Sequence, residues 1–256
     1  MRMRGARAID TTVALLISAA DAHAMTPVSQ ERRVSVVGDF TSIPFSFHFE
    51  DIESAPDFAR FVQTAVNVPV DAVAAQDSRI DPGALHASGS FHASAGAGSP
   101  NASIDTDAES VFTVSFDVDT PTPFSLSGHV DLSLDRCDAA TSGWVHLAGP
   151  GGVIADIAPS HSDYGIPFHC PQGCQDSTPV SASGAMAPGR YTLLVGTRGN
   201  TIETSYPQDV CTSALVTGSY EVDLVLTPPP EVPALPGAAP VALAAALALA
   251  GRTRRR

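Results

Sequence analysis

Apolar and polar residues alternate with a period of two along most of the central part of the chain. Phe45, Phe47 and Phe49 are separated by single polar residues, which places three rings on one face of a predicted strand. The same alternation recurs in residues 111–118, 124–134, 144–147, 191–195 and 220–226. Gly, Pro, Asp and Ser cluster between these runs, as hairpin connections require. One apolar and one polar face per strand predicts two stacked antiparallel sheets, an all-β sandwich of the jelly-roll-like class.

One segment has helical rather than strand-like spacing. In Pro56–Ala65, Asp57 is a candidate N-cap residue that precedes the apolar residues Phe58, Phe61 and Val62. We therefore predict one short helix here, covering one end of the sandwich.

Both ends of the chain have the composition of processing signals. Three arginines precede a short apolar run, and Ala22-His23-Ala24 forms an A-x-A cleavage site, so residues 1–24 are predicted to be a signal peptide. A disordered N-terminal extension is the alternative. No break in composition divides the next part, which predicts a single sandwich domain over residues 25–227. Residues 228–256 form a separate tail.

The charge balance is strongly acidic, with 14 Lys+Arg residues, 27 Asp+Glu residues and a formal net charge of −13. Every one of the basic residues is arginine, and several of them lie at the two ends of the chain. The central part is therefore more acidic than the whole. Such a surface repels phosphate groups, which argues against nucleic-acid binding and against docking on anionic lipid. It favours solubility and the binding of divalent cations.

The tail consists of a proline-rich spacer, a stretch rich in Ala and Leu, and a basic end. The uninterrupted apolar run, residues 241–250, spans about 15 Å as a helix, half of a hydrocarbon core of about 30 Å. We therefore expect a segment that contacts the membrane transiently and is then processed. A retained transmembrane anchor and a core or disordered tail are the alternatives. The positive-inside rule places the arginines in the cytoplasm and the domain outside.

This tail resembles the tripartite C-terminal sorting signals of exported bacterial proteins, the PEP-CTERM type recognised by exosortases. The residues that carry the resemblance are Pro230, Glu231, Val232, Pro233, Arg254, Arg255 and Arg256, together with the Ala/Leu stretch. That family usually has Val-Pro-Glu-Pro, whereas Glu231 here precedes Val232. The resemblance implies export to the cell surface, outer membrane or extracellular matrix of a bacterium, with a membrane-bound sorting enzyme as partner.

A second resemblance lies within the predicted domain. The segment Ala187–Leu193 contains Pro-Gly-Arg-Tyr-Thr-Leu and is similar to the Pro-Gly-x-Tyr-x-Leu turn and strand of many exported sandwich domains that carry such tails. The resemblance implies that Tyr191 and Leu193 share one face of a strand.

The predicted domain contains four cysteines: Cys137, Cys170, Cys174 and Cys211. An even number in an exported protein indicates two disulfide bonds, for which three pairings exist. We favour Cys170–Cys174, which closes a tight loop, and Cys137–Cys211, which joins distant segments. A zinc site is the alternative, because His161 and His169 flank the first pair.

A weak calcium site is predicted from three carboxylates. Asp105, Asp107 and Glu109 alternate in or beside a predicted loop, and calcium prefers oxygen ligands of this kind. The alternative is a charged, solvated edge that prevents aggregation of sheets. The strand-like histidines, predicted on exposed faces, are His86, His92, His129 and His146.

No motif for catalysis appears, since the hydrolase, metalloprotease and nucleotide-binding signatures are absent. No catalytic residue and no cofactor other than calcium is therefore predicted. Among candidate rings for glycan binding, Trp144 opens a predicted strand and is expected in the core, whereas Tyr164 and Tyr206 lie in loops. We expect a non-enzymatic surface or matrix protein with extracellular polysaccharide as a candidate partner. A secreted hydrolase of an extracellular polymer is the alternative, and two carboxylates about 5–10 Å apart in a cleft would favour it.

Overall fold

The computed structural model describes residues 24–42, 44–67, 71–95, 102–135, 139–163, 174–204 and 214–227. Every regular element in these ranges is a β-strand. They contain no helix that is long and apolar enough to cross a membrane. Sheet A contains β1 (Thr26–Ser42), β2 (Phe45–Ser54), β6 (Ala102–Val118), β8 (Ala139–Gly149), β9 (Gly152–Ile157), β10 (Ser160–Asp163) and β12 (Gly189–Thr204). Sheet B contains β3 (Phe61–Asn67), β4 (Ala72–Asp81), β5 (Ala84–Ala95), β7 (Thr122–Asp135), β11 (Cys174–Met186) and β13 (Ala214–Leu226).

The two sheets are antiparallel and pack face to face. The strand order is β10-β8-β12-β6-β1-β2 in sheet A, with β9 also paired to β8, and β11-β7-β13-β5-β4-β3 in sheet B. Strand β6 pairs with β12 in sheet A, and their chain neighbours β7 and β11 pair in sheet B. A paired ribbon thus passes from one sheet to the other, as it does in jelly rolls. The predicted two-layer antiparallel β-sandwich is confirmed.

The interior contains two apolar clusters that differ in side-chain size. The first includes Phe112, Phe116, Leu147 and Leu193, all of them buried. The second is dominated by alanines: Ala65, Ala72, Ala74, Ala93, Ala95, Ala108, Ala139 and Ala214. Burial of one Phe or Leu side chain contributes about 1.5–3 kcal/mol, several times the contribution of a methyl group. The first cluster therefore supplies most of the apolar stabilisation.

Three aromatic rings pack against glycines of neighbouring strands. The directly opposite pairs are Tyr220 with Gly89, Phe91 with Gly218, and Trp144 with Gly196. A Cβ atom added to any of these glycines would overlap the ring opposite. A ring that lies over a glycine covers backbone that has no side chain of its own, a recurring way to stabilise glycine in strands. These positions therefore require glycine because of close approach.

Tyr220 places a hydroxyl between the two sheets. Its oxygen accepts a hydrogen bond from the Gln76 amide at 2.9 Å and lies 3.1 Å from the Ser110 hydroxyl. The Gln76 amide also donates to the carbonyl of Val111 at 2.9 Å. Burial raises the pKa of Tyr220 to about 12. The phenol therefore stays neutral throughout the physiological range and ties sheet B to sheet A.

The predicted helix over Pro56–Ala65 is wrong. Residues 56–59 form bends, and Phe61 begins strand β3. The carboxylate of Asp57 accepts a hydrogen bond from the Ala59 amide at 2.9 Å, a contact that turns and helix N-caps share. The buried guanidinium of Arg32 donates to the Asp57 carbonyl and lies 5.7 Å from the centre of the Phe61 ring. These long-range contacts fix an extended connection between the sheets, which local sequence does not reveal.

The three-ring face predicted for Phe45, Phe47 and Phe49 is confirmed. Their ring centres are 6.4 Å and 6.3 Å apart along β2, the edge strand of sheet A. Phe47 lies opposite Phe40 of β1, so the rings extend the inner face of sheet A. Phe45 is 63% exposed and Phe47 is 50% exposed among the described residues. At this edge, the inner face of sheet A therefore extends beyond the part that sheet B covers.

The turn and strand at Ala187–Leu193 form as predicted. Strand β12 begins at Gly189, whose φ of +144° is accessible mainly to glycine. Tyr191 and Leu193 are both buried on one face of the strand. The Tyr191 hydroxyl donates a hydrogen bond to the Ala187 carbonyl at 2.9 Å, which holds the turn against the strand.

Candidate functional site

A shallow groove crosses the outer face of sheet B. It consists of two adjoining depressions of about 500 Å³ and 410 Å³. Ser90 and Ser219 line both of them, and together the linings include residues of all six strands. Neighbouring strands are about 4.8 Å apart, so the groove spans roughly 24 Å from β3 to β11. Both end strands are sheet edges, and the groove is therefore open at each end.

The register of the six strands explains why the groove exists. Side chains on the outer face form rows across the sheet, because directly opposite residues point the same way. The central row consists of Ser177, Asp131, Ser219, Ser90, Ala75 and Thr64. Larger side chains stand in the two flanking rows, with His92 in one, and with His129 and Glu221 in the other. A row of small side chains between taller rows makes a channel perpendicular to the strands.

Hydroxyl and amide side chains line the groove together with apolar groups. The first depression is lined by Ser133, Thr217, Gln175 and Ser177 in addition to the shared serines. These groups both donate and accept hydrogen bonds. The groove therefore matches a ligand that is itself rich in hydroxyl groups.

Carboxylates line both depressions, Asp131 the first, and Asp77 and Glu221 the second. Asp131 lies 3.3 Å from His129, and Asp77 is paired with Arg60 at the rim. Hydrogen bonding to Arg60 is the main cause that holds the pKa of Asp77 below its usual value. Glu221 lies directly opposite His129, and no described arginine forms an ion pair with it. Negative charge is therefore only partly compensated here.

The residues predicted to bind calcium lie on the other sheet, within strand β6 rather than in a loop. Each has its own partner. Arg198 binds Asp107 through two hydrogen bonds of 2.7 Å and 2.9 Å, Arg33 binds Glu109 at 2.6 Å, and Asn200 donates to Asp105 at 2.8 Å. No group of three potential ligands in the described ranges is arranged to hold a metal ion. The carboxylates thus form cross-strand pairs, and the geometry gives the calcium hypothesis no support.

Asp105 is the least well compensated of these carboxylates. It lies directly opposite Asp39 on β1, two positions from Asp107. Burial is the first cause of a raised pKa at Asp105, and the nearby charges of Asp107 and Asp39 add to it, against the hydrogen bond from Asn200.

The strand histidines lie on outer faces, as predicted. The side chains of His86, His92, His129 and His146 are between 35% and 43% exposed. Each has an aspartate within 3.6 Å, the shortest distance being 2.7 Å for His86 and Asp223. These are surface pairs between or along strands.

Of the four cysteines, Cys174 lies within the described residues. It is the first residue of β11 and is bonded rather than free. The strand ends that flank the other cysteines, Asp135, Ala139 and Ala214, lie at the same end of the sandwich as Cys174. Cys137, Cys170 and Cys211 lie outside the described residues, so the favoured pairing stays a prediction. The zinc alternative also depends on His169 and Cys170, outside these ranges.

The prediction that Trp144 lies in the core is wrong. Trp144 lies on the outer face of sheet A. The alternation of β8 buries Val145 and Leu147 and points Trp144 outward, over Gly196. The ring is half-buried because Gly196 has no side chain and the ring lies flat against its backbone. Tyr164 and Tyr206 lie outside the described residues, as do residues 1–23 of the predicted signal peptide 1–24 and the tail from residue 228 onward.

Sequence reasoning missed the groove. Strands β5, β7, β11 and β13 have serines at outward positions, a pattern that is also typical of an ordinary solvated face. The signal that distinguishes a groove is the alignment of small residues across six strands, which depends on the register between segments far apart in the chain.

The chain matches no protein-family model and no curated protein sequence. The enzymatically active domain of tailspike protein 4 from bacteriophage CBA120 is similar over 75% of this chain and 19% of its own, at 14% identity and a TM-score of 0.20. An infectious bursal disease virus Gt strain structure matches over 93% of this chain and 89% of its own, at 10% identity and a TM-score of 0.20. A Gx strain structure matches over 88% and 72%, at 12% identity and a TM-score of 0.22. Likenesses this weak carry no conclusion about activity.

Proposed function

We propose that this protein is an exported, non-enzymatic β-sandwich that binds an extracellular polysaccharide along the groove of sheet B. The observation that carries the proposal is the groove itself, a channel across six strands with a floor of serine, threonine, alanine and one aspartate, Asp131. Its destination is the cell surface, outer membrane or extracellular matrix of a bacterium, which the signal segment and the sorting-type tail support.

The shape of the groove favours a polymer over a small molecule. Sites for small molecules are enclosed clefts or cavities, whereas this channel is shallow and open at both ends. The spacing between strands, about 4.8 Å, is close to the length of one pyranose unit in an extended chain. Successive strands therefore present similar groups to successive sugar units.

The binding proposal is tested by filling the groove. Ser90 lies at the junction of the two depressions and is exposed, so Ser90→Trp should block the channel without disturbing the core. The matched control is Ser54→Trp, at an exposed position of β2 in sheet A. Affinity electrophoresis against a panel of polysaccharides should show binding by the wild type and the control, and about tenfold weaker binding by Ser90→Trp. Equal mobility shifts for all three proteins would contradict the proposal.

The export proposal has its own test. Removal of residues 1–24 and processing of the tail by a membrane-bound sorting enzyme predict a shortened mature protein. Intact-mass measurement on protein purified from its natural host should show loss of both ends. A mature form that retains Arg254, Arg255 and Arg256 would overturn the sorting proposal and leave the groove proposal standing.

One observation favours a second candidate, a secreted hydrolase of an extracellular polymer. Asp131 and Glu221 occupy diagonal positions on the adjacent strands β7 and β13, for which the separation is about 7–8 Å. That is the separation of their backbone positions, and side chains of this length can bring the two carboxyl groups within the range of about 5–9.5 Å found in glycoside hydrolases. Incubation with each polymer that binds, followed by measurement of new reducing ends, distinguishes the two functions. Product that disappears in Asp131→Asn would establish the hydrolase.

A further inference from the structure

Charge in and beside the groove identifies the class of polymer that fits it best, given the proposed function. Glu221, Asp131 and Asp77 point to the outer face of sheet B along or next to the channel. The chain has no lysine, and no arginine is among the described residues that line either depression. Arg60 pairs with Asp77 from the rim, and the histidine between Asp131 and Glu221 carries charge only when protonated. The channel is therefore negatively charged.

We infer that the groove binds a polymer of amino sugars whose amines are free and protonated. Ammonium groups are the cations that such a polymer would bring to Glu221 and Asp131. A polymer of uronic acids would instead place carboxylates against carboxylates, and like charges brought together at an interface are strongly unfavourable.

The positions of the carboxylates agree with the repeat of such a polymer. Glu221 of β13 and Asp77 of β4 stand in the same row, with Ser88 of β5 between them. Two strand spacings separate them by about 9.6 Å. This distance is close to the repeat of two units in an extended β-1,4-linked chain, in which every second sugar faces the same way. One amine of such a chain would therefore reach Glu221, and the next amine on the same face would lie beside Asp77, which already pairs with Arg60.

The experiment compares oligomers of equal length by titration calorimetry in a neutral buffer. The three probes are a glucosamine oligomer, its fully N-acetylated form and a uronic-acid oligomer. We expect the glucosamine oligomer to bind about tenfold more tightly than the N-acetylated form, and the uronic-acid oligomer to bind most weakly. The preference should largely vanish on going from about 0.05 M to 1 M salt, because screening shortens the reach of the charges.

A matched pair of variants separates the groove from the overall acidity of the protein. Glu221→Gln removes one charge in the channel and should remove most of the preference for the glucosamine oligomer over the N-acetylated form. Glu50→Gln removes the same charge from an exposed position on β2 of sheet A and should leave both affinities unchanged. Equal losses in the two variants would mean attraction by net charge alone and would overturn the inference.

The outcomes also separate this inference from the proposed function. Similar affinity for the glucosamine and N-acetylated oligomers would overturn the inference and leave a polysaccharide-binding groove. Tighter binding of the uronic-acid oligomer would overturn it as well. No binding of any of the oligomers or of the wider polysaccharide panel would overturn both.

Discussion

The outer faces of the two sheets come from the same alternation of apolar and polar residues, but their cross-strand rows differ. On sheet A, charged side chains of neighbouring strands bind each other, as Arg198 binds Asp107 and Arg33 binds Glu109. On sheet B, serine, alanine and threonine align into a channel, and Glu221 stands beside it without an arginine partner among the described residues. One face carries charge pairs between its strands, and the other carries a row of small polar side chains that a ligand can reach.

Whether a polar side chain on the outer face can bind a ligand therefore depends on its neighbours across the sheet, and not on the sequence of its own strand. A single outward residue of β6 and one of β13 look alike in the sequence, since both are polar and both precede a buried residue. The neighbour on the adjacent strand decides whether that residue is already paired within the protein or is available to a ligand. Changes to sheet A should therefore alter stability, and changes to sheet B should alter binding.

The largest effect on stability is expected where the Trp144 ring packs on Gly196, on the outer face of sheet A. In Gly196→Ala the new Cβ would overlap the Trp144 ring and approach the Ser110 carbonyl at 2.9 Å. The ring must lift, at a cost of about 1–3 kcal/mol in the free energy of unfolding. Urea denaturation followed by Trp fluorescence measures both the loss and the change in the environment of the ring.

The matched control for this change is Gly151→Ala. A Cβ there has no neighbour within 4 Å, so the free energy of unfolding should change by no more than about 0.5 kcal/mol. An equal midpoint for the two variants would mean that Trp144 is not seated on Gly196.

A smaller effect is expected from breaking a charge pair of sheet A. Arg198→Ala removes both hydrogen bonds to Asp107, and the pair is partly exposed, so the loss should be about 1 kcal/mol. This corresponds to a fall in Tm of about 2–4 °C for a domain of this size. Ser90→Ala, in the groove floor, should change Tm by less than the error of the scan. A larger fall for Ser90→Ala than for Arg198→Ala would reverse the assignment of roles to the two faces.

Much of the fold was predictable from the sequence because strand alternation is local. The rings of Phe45, Phe47 and Phe49 and the turn before Tyr191 formed as predicted. The helix failed because Asp57 makes a contact common to turns and helix starts, and the deciding partner, Arg32, lies 25 residues away. A contact between two segments that lie far apart in the chain cannot be predicted from the local sequence of either segment.

The candidate site was much less predictable than the fold. Asp105, Asp107 and Glu109 share a face as their spacing requires, but their spacing gives no sign of Arg198 and Arg33. The groove depends on the register of six strands, and a shift of one residue in β5, β7, β11 or β13 would turn the outward serines of that strand inward. Composition and periodicity therefore located polar faces and could not distinguish a paired face from an open one.

The smallest expected effect, and the one with the clearest sign, concerns Asp105. Burial and the charges of Asp107 and Asp39 raise its pKa above the ordinary value of 3.8, so the ionised form is less favourable in the folded than in the unfolded protein. Below the ordinary value the group is protonated in both states and costs nothing. As pH rises through that value the unfolded state loses its proton first, and stability falls until the folded group has ionised too.

Asp105→Asn removes this cost and keeps an oxygen that accepts the hydrogen bond from Asn200. The variant should therefore be more stable than the wild type at neutral pH, by about 0.5 kcal/mol or less, and equal to it at about pH 3, below the ordinary carboxyl value. Urea midpoints at the two pH values measure the difference, with Asp119→Asn, at an exposed loop position, as the matched control. A gain that persists unchanged in acid would show that packing, and not the carboxylate charge, limits the stability of the paired face.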